Sequence, residues 1–366
     1  MTTSDRVIKS VFPGKYIQGE GLIAKLPEFI KTFGGNGMII CSPTPKKNIL
    51  ASFTEKYTEE GILLEEFRGE CCETEIKRLY DIVVQNQIKV LVGMGGGKVI
   101  DTAKIVADKT NIPVIIVPTI ASTDAPCSGV AVIYTDDGVV ESIYYQKMNP
   151  QVVLVDIDVI AQAPARFLRA GIGDALSTWF EARSCDRTQS MNECGGYSTM
   201  AGLNLAKLCY DSILEYGSAA ILACENNIIT PALHYIVEAN TLLSGIGFES
   251  VGLAAAHSIH NGLSALDETH SYYHGEKVAF GVLASLHLTN AAPAEILSVY
   301  KFCQEIGLPT TLAEIGIVNT DRKNLLKVAT KACEPQESIH KEAGEITPEK
   351  VLYAIIAADA MGKKMK

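Results

Sequence analysis

The chain has 366 residues, 47% of them hydrophobic and 20% charged, with 42 acidic side chains against 32 basic ones. That is enough for two domains around a substantial core, and it argues against a disordered protein. A net charge of −10 without a long Lys/Arg stripe argues against a nucleic-acid surface, which needs cations to neutralise phosphates. The ten cysteines are scattered without any C-x-x-C pair, as reduced small hydrophobes are. No apolar stretch reaches the length of about 18 residues that spans a membrane. Met1-Thr2-Thr3-Ser4-Asp5-Arg6 lacks a basic segment leading into an apolar core, and Lys363-Lys364-Met365-Lys366 reads as a solvated helix end. The expectation is a cytoplasmic protein with neither a membrane nor a nucleic-acid partner.

From Lys15 to about Val155, short apolar runs alternate with amphipathic segments, the pattern of a parallel sheet flanked by helices. Strands are predicted at 38–41, 62–67, 90–92, 113–118 and 152–155, with helices at 47–60, 73–85 and 99–109. Residues 130–144 read as a hairpin around Asp136-Asp137-Gly138. After Pro164 apolar residues recur at helical spacing through 166–184, 195–216, 221–250, 253–266, 277–288, 294–306, 321–332 and 347–360. The reading is a Rossmann-like α/β nucleotide-binding domain over residues 1–160 and an all-helical metal- and substrate-binding domain over 161–366. Candidate site residues fall on both sides of that boundary, so a ligand bound between the domains is expected.

Gly95-Gly96-Gly97-Lys98 follows a strand and opens a helix. Three bare glycines leave backbone N–H groups and a helix N-terminus open to a pyrophosphate. The run fits neither G-x-G-x-x-G nor G-x-x-x-x-G-K-[ST]. The small hydroxyl residues of 118–129 follow the next strand, at the edge where open α/β sheets bind ligands. In the helical half, Asp174 sits in Gly171-Ile172-Gly173-Asp174-Ala175. His257, His260, His270 and His274, four of the seven histidines, fall within 18 residues. A carboxylate with two imidazoles suits a catalytic divalent cation with an open position. Spacing alone leaves open which two histidines bind it.

These residues together resemble the glycerol dehydrogenase branch of the iron-containing, or group III, alcohol dehydrogenases, whose architecture is shared with dehydroquinate synthase. Matching stretches include Gly93-Met94-Gly95-Gly96-Gly97-Lys98-Val99-Ile100-Asp101, Pro118-Thr119-Ile120-Ala121-Ser122-Thr123-Asp124-Ala125-Pro126, Ala170-Gly171-Ile172-Gly173-Asp174-Ala175-Leu176 and His270-Ser271-Tyr272-Tyr273-His274-Gly275-Glu276. The resemblance implies reversible oxidation of glycerol, and of vicinal diols such as 1,2-propanediol, with NAD and zinc. Asp174, His257 and His274 are then the zinc ligands, and with Asp124 they contact the polyol. Gly95, Gly96, Gly97, Lys98 and Val99 cradle the NAD pyrophosphate, and Thr119, Ile120, Ala121, Ser122, Ser128, Val130 and Tyr134 line the rest of the nucleotide site. Tyr134 and Phe248 are candidates for shaping the substrate cleft, and His260 and His270 for relaying a proton. The resemblance also implies a homo-oligomer, an octamer or similar.

Iron-dependent relatives carry another His one turn after the Asp, where this chain has Thr178; three protein ligands favour zinc. Glycerol dehydrogenases usually place an Asp on the adenosine ribose where this chain has Ser42. An acidic residue there repels a 2′-phosphate, so its absence predicts measurable NADP use. The rivals are a related enzyme acting on another polyol, ketone or glycerol phosphate and, more distantly, a non-catalytic metal or nucleotide sensor. A phosphorylated substrate calls for a Lys/Arg cluster, and none accompanies the histidines.

Overall fold

A computed structural model describes residues 6–366. The chain divides into two units: residues 12–164 with 223–230, and residues 6–11, 165–222 and 231–366.

In chain order the first unit holds β1 (Tyr16–Gly19), α1 (Leu26–Thr32), β2 (Gly37–Cys41), α2 (Pro43–Asn48), α3 (Thr54–Glu59), β3 (Leu63–Glu66), α4 (Glu73–Gln85), β4 (Val90–Gly95), α5 (Gly97–Thr110), β5 (Val114–Pro118), β6 (Val130–Tyr134), β7 (Val140–Tyr145), β8 (Val152–Asp156) and α6 (Ile157–Gln162). Six strands form a parallel sheet in the order β1-β8-β5-β4-β2-β3, while β6 and β7 pair antiparallel by themselves. β2, β4, β5 and β8 are buried along their whole length, which is why they read as unbroken apolar runs. The edge strand β1 was not among the predicted strands; its residues are only partly buried and give no such run.

The helix predicted over 47–60 is instead two short helices joined by a 3-10 turn at Leu50–Ser52. Leu50 and Tyr57 are both buried, seven residues apart, so the periodicity reads as one helix. Hydroxyls interrupt it: Ser52 Oγ donates to the Ile49 carbonyl and Thr54 Oγ1 to that of Leu50.

The second unit holds α7 (Ala165–Thr188), most of α8 (Met200–Glu225), α9 (Pro231–Glu238), a π-helical stretch (Ala239–Leu243), α10 (Ser244–Val251), α11 (Ala255–Leu263), α12 (His274–Leu288), α13 (Pro293–Ile306), α14 (Arg322–Ala332) and α15 (Pro348–Met365). The predicted helix at 221–250 is divided. α8 runs on to Glu225, Asn227 takes a left-handed φ of 53°, and Pro231 opens α9. Asn past a helix end and Pro at a helix start are the expected stop and start residues. No single helix among the described residues is long and apolar enough to cross a membrane.

Candidate functional site

Glycines let three helices of the second unit approach closely enough to assemble a cluster. α12 begins at His274, and a Cβ on the next residue, Gly275, would lie 1.8 Å from the Ala170 carbonyl oxygen of α7. Reciprocally, a Cβ on Gly173 would lie 2.3 Å from the Gly275 carbonyl. Only bare backbone fits at that crossing, and it brings the neighbouring residues Asp174 and His274 together. His274 Nε2 lies 3.1 Å from Asp174 Oδ1. α12 approaches α11 in the same way, since a Cβ on Gly281 would lie 2.4 Å from the carbonyl of Ala256, the residue before His257. The chain bends by 104° between α10 and α11, passing through Gly252 at φ +132°, a conformation that favours glycine. His257 Nε2 then lies 3.5 Å from the same Asp174 oxygen. Ligand atoms of Asp174, His257 and His274 all lie within 4.8 Å of one another, the one such group among the described residues.

The other two histidines fall outside this group. His260 Nε2 lies 3.1 Å from His274 Nδ1, on the side of that ring away from Asp174. Burial, aided by nearby His274, Lys277 and His257, pushes the pKa of His260 well below its ordinary value, so its ring is neutral. His270 is exposed and its ring faces the Ser264 carbonyl. Thr178, one turn after Asp174, is buried and shares a 2.8 Å hydrogen bond with Ser244, so its hydroxyl is engaged away from the ligand group. Phe248 is buried on α10.

A further carboxylate completes the centre. Glu181 lies seven residues after Asp174, on the same face of α7. Its Oε1 accepts from the backbone N–H groups of Ala254 and His257, and Oε2 lies 2.6 Å from His257 Nδ1. It therefore fastens the start of α11 to α7 and orients the His257 ring. Burial alone would raise the Glu181 pKa, but the His257 ring and the two backbone donors outweigh burial and hold it below the ordinary range. Burial would likewise lower His257, yet Glu181 and Asp174 drive its pKa well above 6.5. Asp174 is held far below the ordinary carboxylate value against the effect of burial, by His274 and His257. Two buried carboxylates around one imidazole make a site that demands positive charge.

That demand fits a metal ion. A carboxylate only accepts, so His257 gives Glu181 its Nδ1–H and aims Nε2, an acceptor once its own proton is lost, at Asp174, a second acceptor. Two acceptors facing one another need a cation or a proton between them, and two imidazoles with one carboxylate are ordinary ligands of a divalent ion. Replacing Glu181 with Gln puts an amide N–H against Nδ1 and favours the opposite tautomer. Zinc affinity of Glu181→Gln, measured by competition with a chelator, is expected to fall by about 10- to 100-fold, and wild-type affinity would refute this role.

The candidate cofactor residues belong to the first unit. The chain leaves β2 toward β3 on one side of the sheet and leaves β4 toward β5 on the other, so the ends of β2 and β4 flank the switch point where such sheets bind ligands. Ser42 follows β2, Gly95, Gly96 and Gly97 end β4 and open α5, and Thr119, Ile120, Ala121 and Ser122 follow β5. A Cβ on Gly95 would lie 2.8 Å from Ser42 Oγ and 2.9 Å from Val99, and one on Gly96 would lie 3.1 Å from Ile120. Packing explains those two glycines. It does not explain Gly97, where a Cβ would meet nothing nearer than 3.9 Å.

Glu70 holds the Lys98 ammonium at 2.6 Å, 4.9 Å from the centre of the Tyr134 ring. Ser128 faces inward toward Lys104, whose wholly buried ammonium donates to the carbonyls of Ala125, Ser128 and Val130 and pairs with Asp101 at 3.2 Å. That buried pair fixes the loop carrying half-buried Asp124 against α5.

Residues 13–157 match the iron-containing alcohol dehydrogenase family. The glycerol dehydrogenase of Thermotoga maritima is 51% identical over 361 residues, 98% of this chain and 99% of its own length. That of Pseudomonas putida is 46% identical over 98% of both chains. A crystal structure of glycerol dehydrogenase from Schizosaccharomyces pombe superposes with a TM-score of 0.92 at 36% identity, covering 98% of this chain and 92% of that one. With a parallel sheet followed by helices that gather one carboxylate and two imidazoles, and with half its residues shared over almost the full length of a relative, this chain belongs to the glycerol dehydrogenase branch of the iron-containing alcohol dehydrogenase family.

Proposed function

We propose that this chain is a zinc- and NAD-dependent dehydrogenase that converts glycerol to dihydroxyacetone and accepts related vicinal diols such as 1,2-propanediol. The observation that carries the reading is the convergence of His257 Nε2 and His274 Nε2 on one oxygen of buried Asp174. Those three residues would hold the ion. Bound there, zinc supplies a Lewis-acid charge that eases loss of a hydroxyl proton. Three protein ligands also leave room for two neighbouring substrate oxygens, which favours a diol over a simple alcohol. His274, 37% exposed against 13% for His257 and 1% for Asp174, is the ligand most open to an incoming substrate.

The chain's own groups do the positioning. Backbone N–H groups from Gly95 to Val99 would hold the pyrophosphate at the start of α5, with bare Gly97 allowing its approach. Asp124 would accept a hydrogen bond from the polyol. Transfer of a hydride from C2 of glycerol to NAD⁺, with release of the hydroxyl proton, would give dihydroxyacetone, NADH and H⁺.

The test is NADH formation from glycerol, 1,2-propanediol and 2,3-butanediol before chelation, after chelation and after return of zinc. The reading predicts activity that disappears with the metal and returns with it; absence of metal-dependent diol oxidation would sink it. Cofactor choice gives a separate prediction. Ser42 carries no charge to repel a 2′-phosphate, so NAD should be preferred over NADP by less than about a thousandfold in kcat/KM, roughly 4 kcal/mol. Ser42→Asp should widen that ratio. A larger wild-type discrimination would contradict this assignment.

A further inference from the structure

Behind His274, on the side away from Asp174, lies a polar chain that runs to the surface. His274 Nδ1 is 3.1 Å from His260 Nε2, and His260 Nδ1 is 3.1 Å from Asn261 Oδ1. Asn261 Nδ2 donates to both oxygens of Glu337, at 2.9 and 3.2 Å. Each link fixes the direction of the next. A carboxylate offers only acceptors, so Asn261 must turn its NH₂ toward Glu337 and its carbonyl toward His260. An amide oxygen cannot donate, so His260 carries its proton on Nδ1. The neutral ring then has a bare Nε2, which can only accept from His274 Nδ1–H. What remains is a lone pair on His274 Nε2, 3.1 Å from Asp174 Oδ1.

We propose that Glu337, Asn261 and His260 are positioning residues that form a one-way hydrogen-bond chain, locking His274 in the Nδ1–H tautomer so that Nε2 serves as a metal ligand. The inference rests on the metal reading above and deepens it. It gives His274 the counterpart of what Glu181 does for His257, with one difference. Glu181 acts directly on His257 and is buried, whereas the carboxylate serving His274 acts through two intermediate side chains, of which Asn261 is exposed. Two ligands from different helices are thereby set to the same tautomer by two different carboxylates. The chain also accounts for His260, which spacing could not tell from a ligand: it holds a ligand in place.

Zinc affinity of the metal-stripped protein, measured by competition with a chromophoric chelator, tests this in three variants. Asn261→Leu removes the acceptor facing His260 and should raise the zinc Kd by about tenfold or more. Asn261→Asp combined with Glu337→Gln swaps the amide and the carboxylate, keeps that acceptor and the donor to it, and should stay within about threefold of wild type. Glu337→Gln preserves shape but lets the amide of Asn261 turn over, and should weaken binding by an intermediate amount. The position is exposed, so the Asn261 variants should unfold at the wild-type urea midpoint. In parallel, ¹⁵N-histidine NMR reads the tautomer of His260 with or without metal, and the proton is expected on Nδ1.

Wild-type zinc affinity in Asn261→Leu, equal losses in Asn261→Leu and the swapped pair, or a His260 proton on Nε2 would each overturn the proposal. Its failure is separable from that of the functional reading. A wild-type chain that binds no zinc and oxidises no diol refutes the latter, while the His260 tautomer still decides the direction of the chain.

Discussion

His274→Ala is expected to lower kcat/KM for glycerol by at least about a thousandfold while shifting the Kd for NADH by less than about twofold. The expected loss corresponds to roughly 4 kcal/mol of transition-state stabilisation, in the range for losing a charge that acts mainly on the reacting oxygen. His274 is one of three side chains whose ligand atoms lie within 4.8 Å, and it is the most exposed of them. The candidate nucleotide turn, Gly95 to Val99, belongs to the other unit. Stopped-flow turnover and fluorescence titration with NADH separate the two effects. Unchanged turnover would remove His274 from the centre, and a parallel loss of NADH binding would show damage beyond it.

Gly275→Ala should be as severe by a different route. A methyl group 1.8 Å from the Ala170 carbonyl and 3.0 Å from the Asp174 backbone nitrogen cannot be accommodated by rotating a side chain, because both obstacles are main chain. α12 must move away from α7, taking His274 from Asp174 and disturbing the Glu276 carboxylate, which accepts from Tyr273 N–H and from Nε and Nη2 of Arg166. The expected cost is about 3 kcal/mol or more, at the severe end for overpacking, with loss of zinc binding. Urea unfolding and metal content check the two parts. Wild-type stability with a full complement of metal would show that the helix crossing is softer than its geometry implies. Gly97→Ala makes a useful control for folding, since a Cβ there meets only Thr123 Oγ1, at an ordinary contact distance of 3.9 Å.

The glycine turn, the clustering of Asp174 with four histidines and the order of a parallel sheet followed by helices were legible in the sequence because each has a local signature. β2, β4, β5 and β8 are buried on both faces and announce themselves as apolar runs. The breaks in 47–60 and 221–250 were hidden by the same signal, since buried residues on either side of a short interruption keep helical spacing. Asn227 and Pro231 carried the needed punctuation, but Ile228 and Ile229 between them read as more core.

The site divides along a similar line. Asp174 with two of four clustered histidines is a compositional pattern, whereas the choice of His257 over His260 depends on how α11 is rotated against α7 and α12. Glu181 could have been found, since it sits two helical turns from Asp174 on the same face. Glu337 could not, because nothing in sequence links it to Asn261, 76 residues earlier. Hydrogen-bond direction, which makes both carboxylates meaningful, exists only once the partners are placed.

Zinc-edge anomalous diffraction from crystals of the full chain identifies the metal and its ligands together. The account predicts one strong zinc peak per chain at bonding distance, about 2.0–2.2 Å, from Asp174 Oδ1, His257 Nε2 and His274 Nε2. A peak bound elsewhere, or a fully active enzyme without zinc at those three atoms, would contradict it.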